Sequence, residues 1–290
     1  MQRKSLAIAT PVGSFKGAFA HGVLTALEEA GIVADAYAAA SSSTIPASWA
    51  AIGRAKDLGI DYWLAGLAAL EQPQQNMSKV VQRGIRIFSK QLRQDLYHPQ
   101  TPTLFIATNA VIHPSAAAQT QTALAQDLGK RLLRASVDKD RSWVDTNLRF
   151  TLFSTHHPEA HHRITPNNYP AVAYASSRIV HAWEIPAWID SKPYVDAAYT
   201  CLCPVLAMVA EGYQQTIAIS NEPGTMYRDM FHIEQIPDLL HGVPIHIICP
   251  DVHLKQLGVD FIKATPDGLV AVYRHGRDKG AEFISKWNRF

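Results

Sequence analysis

The sequence predicts an α/β fold with a largely parallel central sheet flanked by helices. Two observations carry this. Short apolar runs recur along the chain, and longer helical stretches alternate with several of them, bounded by glycine or proline. Residues 5–10 are apolar and stop at Pro11 and Gly13, as a buried strand does. Residues 17–30 follow as a helix, with Ala20, Val23, Leu24 and Leu27 on one face and Gly31 as its C-terminal cap. Residues 34–39 are a second strand, and 43–55 a helix that tolerates Pro46 in its first turn. Further along, strands are expected at 103–111, 148–154, 193–197, 216–220 and 245–249. Helices are expected at 119–135 and 266–290, with a loop rich in His, Pro and Asn at 156–170. No linker, repeat or low-complexity stretch divides the chain, so one domain over 1–290 is expected.

Composition narrows the class. A hydrophobic content of 47% over 290 residues is ample for a sizeable core. Lys plus Arg number 27 and Asp plus Glu 25, a net charge of +2, which gives no polyanion signal and no reason to expect a nucleic-acid partner. The cysteines, Cys201, Cys203 and Cys249, form no CxxC pair. Their odd, sparse count fits a reducing compartment. The apolar run near the start is too short for a signal peptide, and no stretch is long enough to span a membrane. The expected location is cytoplasmic, with peripheral contact at membranes. Export by a route without a signal peptide stays open.

Three segments carry candidate chemistry. Ala39-Ala40-Ser41-Ser42-Ser43 lies between a strand and a helix, where a nucleophile elbow sits. The elbow turn is so tight that the residues two before and two after the serine must be small. Ser41 gives Ala39 and Ser43 as that pair, Ser42 gives Ala40 and Thr44, and Ser43 gives Ser41 and Ile45. Ser41 is the best fit. The following helix would aim its N–H groups at an oxyanion. Alone, such a triplet is an ordinary helix N-cap. Pro11-Val-Gly-Ser-Phe-Lys-Gly17 joins the first strand to its helix, either as an anion-binding loop or as a plain turn. Tyr194-Val-Asp-Ala-Ala198 places Asp196 at a strand end, as an acceptor for a serine proton or as a turn-former.

In this order and spacing, the three segments resemble the motifs of the patatin-like phospholipases: a glycine-rich loop ending in Arg/Lys-Gly, then Gly-x-Ser-x-Gly, then Asp-Gly-Gly or Asp-Gly-Ala. Lys16 and Gly17 are retained, and residues 18–31 are the most family-like stretch. Residues 173–180 resemble the Ala-Ser-x-Ala segment before the family's aspartate, Pro204 the proline after it, and 269–281 the start of its closing helix. Val12, Ser14, Ala39, Ser43 and Ala197 stand where the family has glycine. Ser and Ala lack glycine's freedom at positive φ. The resemblance implies a three-layer α/β sandwich and a Ser41–Asp196 dyad. It also implies an oxyanion hole from the N–H groups of Gly13, Ser14 and Phe15, supported by Lys16, Gly17 and Ser42. No metal, organic cofactor or catalytic histidine is expected. The expected activity is hydrolysis of phospholipid or other lipid esters. An inactive lipid-binding or scaffold relative, and an acyltransferase or esterase on a non-lipid acyl ester, are the alternatives.

Two features lie outside those motifs. His156-His-Pro-Glu-Ala-His-His162 gathers four histidines and a carboxylate. Adjacent histidines diverge in an extended chain and Pro158 constrains the turn, so a solvated loop rather than a metal site is expected. On a helix over 77–96, Lys79, Arg83, Arg86, Lys90 and Arg93 form one basic stripe. Val80, Val81, Ile87, Phe88, Leu92 and Leu96 fall mostly opposite. Such a helix suits an anionic lipid surface or is a plain solvated face. Arg83, Arg86 and Lys90 are the residues expected to meet membrane or substrate.

Overall fold

The computed structural model describes residues 5–92 and 95–287. Its strands are β1 (Leu6–Thr10), β2 (Ala36–Ala40), β3 (Thr103–Val111), β4 (Leu148–Ser154), β5 (Ala187–Ile189), β6 (Lys192–Val195), β7 (Gln215–Ile219), β8 (Leu239–Leu240) and β9 (Val243–Ile248). The helices are α1 (Gly17–Glu29), α2 (Thr44–Ala51), α3 (Ala55–Leu58), α4 (Asp61–Leu70), α5 (Met77–Ser89), α6 (Pro114–Thr120), α7 (Ala125–Val137), α8 (Ser142–Asn147), α9 (Tyr169–Ser177), α10 (Val205–Ala210) and α11 (Pro266–Lys286).

The chain forms an α/β sandwich around one mixed sheet. β3, β2, β1, β7 and β9 run parallel through its centre, and β4, β6, β5 and β8 join antiparallel. β1 and β2 are built mostly from alanine and other apolar residues and are almost wholly buried, as central strands covered on both faces must be.

Several boundaries differ from the sequence expectation. The helix expected at 119–135 is two helices, α6 and α7. Between them Gln121 is buried and turned to the sheet: its amide nitrogen donates to the Tyr194 carbonyl at 3.1 Å, and its amide oxygen accepts from the Ala187 N–H at 2.9 Å. The helix expected at 43–55 breaks after Ala51, where Gly53 turns the chain at φ 68° before α3. The helix expected over 77–96 ends at Ser89; Arg93 of its stripe lies outside the described residues. α9 and α4 were not expected at all. No helix among the described residues is long and apolar enough to cross a membrane.

α1 holds the segment that precedes it. Gly17 to Leu27 are all buried, and α11 lies directly against that helix. Their contact is backbone on backbone: a Cβ at Gly22 would stand 2.1 Å from the Tyr273 carbonyl oxygen, and one at Gly276 2.1 Å from that of Phe19. Gly276→Ala is therefore expected to cost about 1–3 kcal/mol by overpacking, read as a lower urea midpoint. Stability equal to the parent's would contradict this close crossing.

Candidate active site

Ser41 and Asp196 are 155 residues apart in sequence and meet because one strand edge brings them there. β4 occupies one edge of β3 along Phe105–Val111. The other edge is shared. β2 covers it as far as the pair Ala40–Ala107, and β6 covers it from the opposite direction as far as the pair Val195–Asn109. The two strands end head to head with Thr108 between them. The next residue of each chain, Ser41 and Asp196, fills the gap. Ser41 Oγ donates to Asp196 Oδ2 at 2.9 Å.

The surroundings fix this pair. Ser41 is 6% exposed and sits at φ 55°, a left-handed conformation that costs a non-glycine residue about 1–2 kcal/mol. The turn is held by Ser176 at the end of α9, whose Oγ accepts from the Ser41 N–H at 2.8 Å and donates to the Ala107 carbonyl at 2.6 Å. Two residues on, the Arg178 carbonyl accepts from the Asp196 N–H at 2.9 Å. One helix end thus grips both members. Asn109 donates to the carbonyls of Asp196 and Ala197 at 2.6 and 3.2 Å. Asp196 Oδ1 accepts from the Ala198 N–H at 2.8 Å. Burial pushes the Asp196 carboxyl up to about 7, against the downward pull of the Ala198 N–H and the Ser41 hydroxyl.

The glycine-poor loop packs beside the turn. Ser43 Oγ donates to the Pro11 carbonyl at 2.6 Å. Ser14 adopts φ 50°, so the left-handed geometry is kept without glycine there. Gly13 is required for space, since a Cβ on it would stand 2.5 Å from Asn221 Nδ2, which itself donates to the Val12 carbonyl. Among the described residues, the N–H groups of Gly13 and Ser14 take no protein acceptor, whereas that of Phe15 reaches the Phe261 carbonyl at a long 3.4 Å. Lys16 is ion-paired with Glu222 at 2.5 Å and does not line the cavity. Gly17 makes room for its neighbours: a Cβ there would stand 2.9 Å from Ser42 Oγ and 2.7 Å from the Trp63 ring.

Ser14, Ser41 and Ser42 open onto a cavity of about 400 Å³ whose remaining walls are mostly apolar side chains of α4 and α5, among them Trp63, Ala69, Val81 and Phe88. α4 explains itself only through this cavity. After Asp61 it carries no charge, yet only Trp63 and Leu67 are buried in the core. Arg83 reaches the cavity rim; Lys79, Arg83 and Arg86 on α5, and Lys90 just past its end, are all exposed. Among the described residues, no His, Cys, Asp or Glu lines the cavity, so they offer it no set of metal donors. The buried His21 serves the fold: its Nδ1 accepts from Trp63 Nε1 at 3.1 Å, its Nε2 donates to the Ala55 carbonyl at 2.8 Å, and burial lowers its pKa to about 4.

Ser176, Arg178 and Asn109 escaped sequence reasoning as members of the site. The segment holding the first two was noticed only as a family-like stretch. Nothing local marks Asn109 or the walls of α4, beyond the unusual absence of charge in a short helix.

No family model matches the chain, and no curated protein matches it. Among solved structures, human GIVD cytosolic phospholipase A2 matches with a TM-score of 0.51 at 10% identity, over 97% of this chain. The chain spans 62% of that protein's length. The likeness shows a fold shared with a phospholipase.

Burying an ionised Asp196 carries a cost that appears as pH dependence. Its folded pKa lies above the unfolded value, so the folded state binds its proton more tightly. Stability from this group is present below about pH 4 and is lost as pH rises to about 7, by an amount on the order of a few kcal/mol. Asp196→Asn should therefore raise the melting temperature at pH 8 and leave it near the parent's at pH 4. A variant less stable than the parent at pH 8 would contradict the buried, solvent-starved carboxylate.

Proposed function

We propose that this chain is a single-domain serine acyl-ester hydrolase of the patatin-like kind, acting on phospholipids or other lipid esters through a Ser41–Asp196 dyad. The observation that carries the reading is the 2.9 Å hydrogen bond from the hydroxyl of Ser41, which lines an apolar cavity, to the desolvated Asp196 carboxylate buried behind it. Asp196 accepts the Ser41 proton as Oγ attacks the ester carbonyl. The N–H groups of Gly13 and Ser14 are offered to the developing oxyanion. Asp196 returns the proton to the departing alcohol. It then takes a proton from water as that water attacks the acyl-serine, and the fatty acid leaves with Ser41 restored. A carboxyl with its pKa near 7 suits both proton transfers at neutral pH.

The cavity supports a lipid acyl chain as the group bound beside Ser41. Its walls offer an apolar surface that the fold itself leaves uncovered. The exposed basic row of α5, with Ile87 46% exposed beside it, supports contact with an anionic lipid surface next to the cavity mouth. A soluble short-chain ester and a lipid substrate separate these elements.

Ser41→Ala should abolish hydrolysis of p-nitrophenyl butyrate, and Asp196→Asn should lower kcat by a factor on the order of 10³. In the parent, kcat/KM should rise with pH through about 7 as Asp196 loses its proton, and then level off. Retained activity in either variant would end the dyad reading.

Gly84 lines the cavity, and a Cβ on it would meet nothing within 4 Å. Gly84→Leu should fold well, since leucine favours helix over glycine. It should cut activity on long-chain esters by roughly tenfold or more relative to butyrate. An unchanged chain-length profile would remove the acyl chain from this cavity.

Each basic residue near an anionic bilayer contributes about 1 kcal/mol, and salt screens it. The Arg83→Gln, Arg86→Gln, Lys90→Gln triple variant should lose cosedimentation with phosphatidylserine vesicles at low salt and keep its butyrate activity. Binding equal to the parent's would exclude α5 as the lipid-facing element.

A further inference from the structure

We propose that the loop joining β4 to α9 binds a divalent transition-metal ion of the Zn²⁺ class through His157, Glu159 and His162. From the sequence alone a solvated loop is expected here, because adjacent histidines diverge in an extended chain. The fold makes them converge. A tight turn of helix at Ala160–His162 folds the segment back on itself, and one donor atom from each of His157, Glu159 and His162 lies within 4.8 Å of the others.

The backbone is held in this shape mainly by groups other than those donors. Arg163 Nε donates to the His157 carbonyl at 2.7 Å and its Nη2 to the Pro158 carbonyl at 3.1 Å. The Ile164 N–H donates to the Ser154 carbonyl at 2.8 Å, closing the loop on the end of β4. The side chains crowd about one carboxylate. Glu159 Oε2 is 3.2 Å from His161 Nε2 and 3.4 Å from His162 Nδ1, and the His157 and His162 rings are 5.2 Å apart. Phe153 packs edge-on against the His162 ring and backs it with an apolar surface.

Two imidazoles and one carboxylate are a mixed nitrogen and oxygen set. Zn²⁺ and its neighbours accept it, whereas Ca²⁺ and Mg²⁺ ask for oxygen alone. Neighbouring ligands on tetrahedral zinc, each about 2.1 Å from the metal, stand about 3.4 Å apart. Closing from 4.8 Å to that spacing is a small shift for side chains on a surface loop, and Glu159 is 59% exposed. His157 Nδ1 now accepts from the Glu159 N–H at 3.1 Å; that surface amide can turn to water if the nitrogen binds metal instead. Water or the neighbouring His161 completes the sphere. The loop leaves β4 beside Phe105, near the start of β3, while Ser41 lies level with Thr108 further along. The metal is therefore structural: it closes the loop that leads into α9, the helix whose far end grips Ser41 and Asp196.

The test uses the full chain stripped with chelator, loaded with one equivalent of Zn²⁺, desalted and assayed for bound metal, with Co²⁺ loading as a spectroscopic twin. One Zn²⁺ per chain is expected. A visible Co²⁺ band of low coordination number and a raised melting temperature should accompany it. His157→Ala with His162→Ala should abolish all three, and Glu159→Gln should weaken binding at least about tenfold. Ser41→Ala and His113→Ala should bind as the parent does. Should the double variant misfold, the single His162→Gln change on the exposed loop carries the same expectation. No retained metal in the parent, or undiminished binding in the loop variants, would overturn the site and leave a histidine–carboxylate cluster only.

Discussion

The edge of β3 is the constraint on which the rest of this structure depends. A strand edge offers one row of hydrogen-bonding groups, and two strands from distant parts of the chain divide it. Because β2 arrives parallel and β6 antiparallel, they can only meet end to end, with a gap of one residue at Thr108. Ser41 and Asp196 are what each chain places in that gap. Thr108 itself closes the join, its hydroxyl donating to the Val195 carbonyl at 3.0 Å. Register then becomes chemistry: a slip of one residue in either ladder would send one of the two side chains to the other face of the sheet.

Such a junction is expensive, and the neighbouring elements offset the expense. Ser41 and Ser14 hold left-handed backbone without being glycine, and Asp196 is a buried carboxylate with no cation beside it among the described residues. The α9 terminus, Asn109, and the Ser43–Pro11 bond together supply the hydrogen bonds that hold these groups in place. The apolar face of α4 is a second unmet demand. A helix with this composition would normally be covered, and here it faces a cavity. Strain at the serine, desolvation at the aspartate and uncovered apolar wall, from distant parts of the chain, all converge around Ser41 in space.

Much of this was legible in the sequence. The parallel strands announced themselves as short apolar runs because both their faces are covered. Steric reasoning on the pair flanking each serine points to Ser41 as the candidate, and the structure buries Ala39 and Ser43 fully in that turn. Asp196 was visible as a carboxylate at a strand end followed by small residues. What was hidden depends on distant partners. The break between α6 and α7 exists because Gln121 serves two sheet strands, which no local propensity reveals. The gripping role of Ser176 and Arg178 needs the position of β2 and β6. The convergence of His157 and His162 needs the anchoring by Arg163, although the crowding of histidines was plain from the start.

The central claim is that Ser41 is an activated nucleophile, and the most direct measurement is covalent. The native chain is treated with a long-chain alkyl fluorophosphonate at pH 8, digested, and the modified residue located by mass spectrometry, beside the Asp196→Asn variant under the same conditions. Stoichiometric labelling confined to Ser41, and lost with the aspartate, is the expected result. No labelling of the folded parent, or labelling at another residue, would contradict the account.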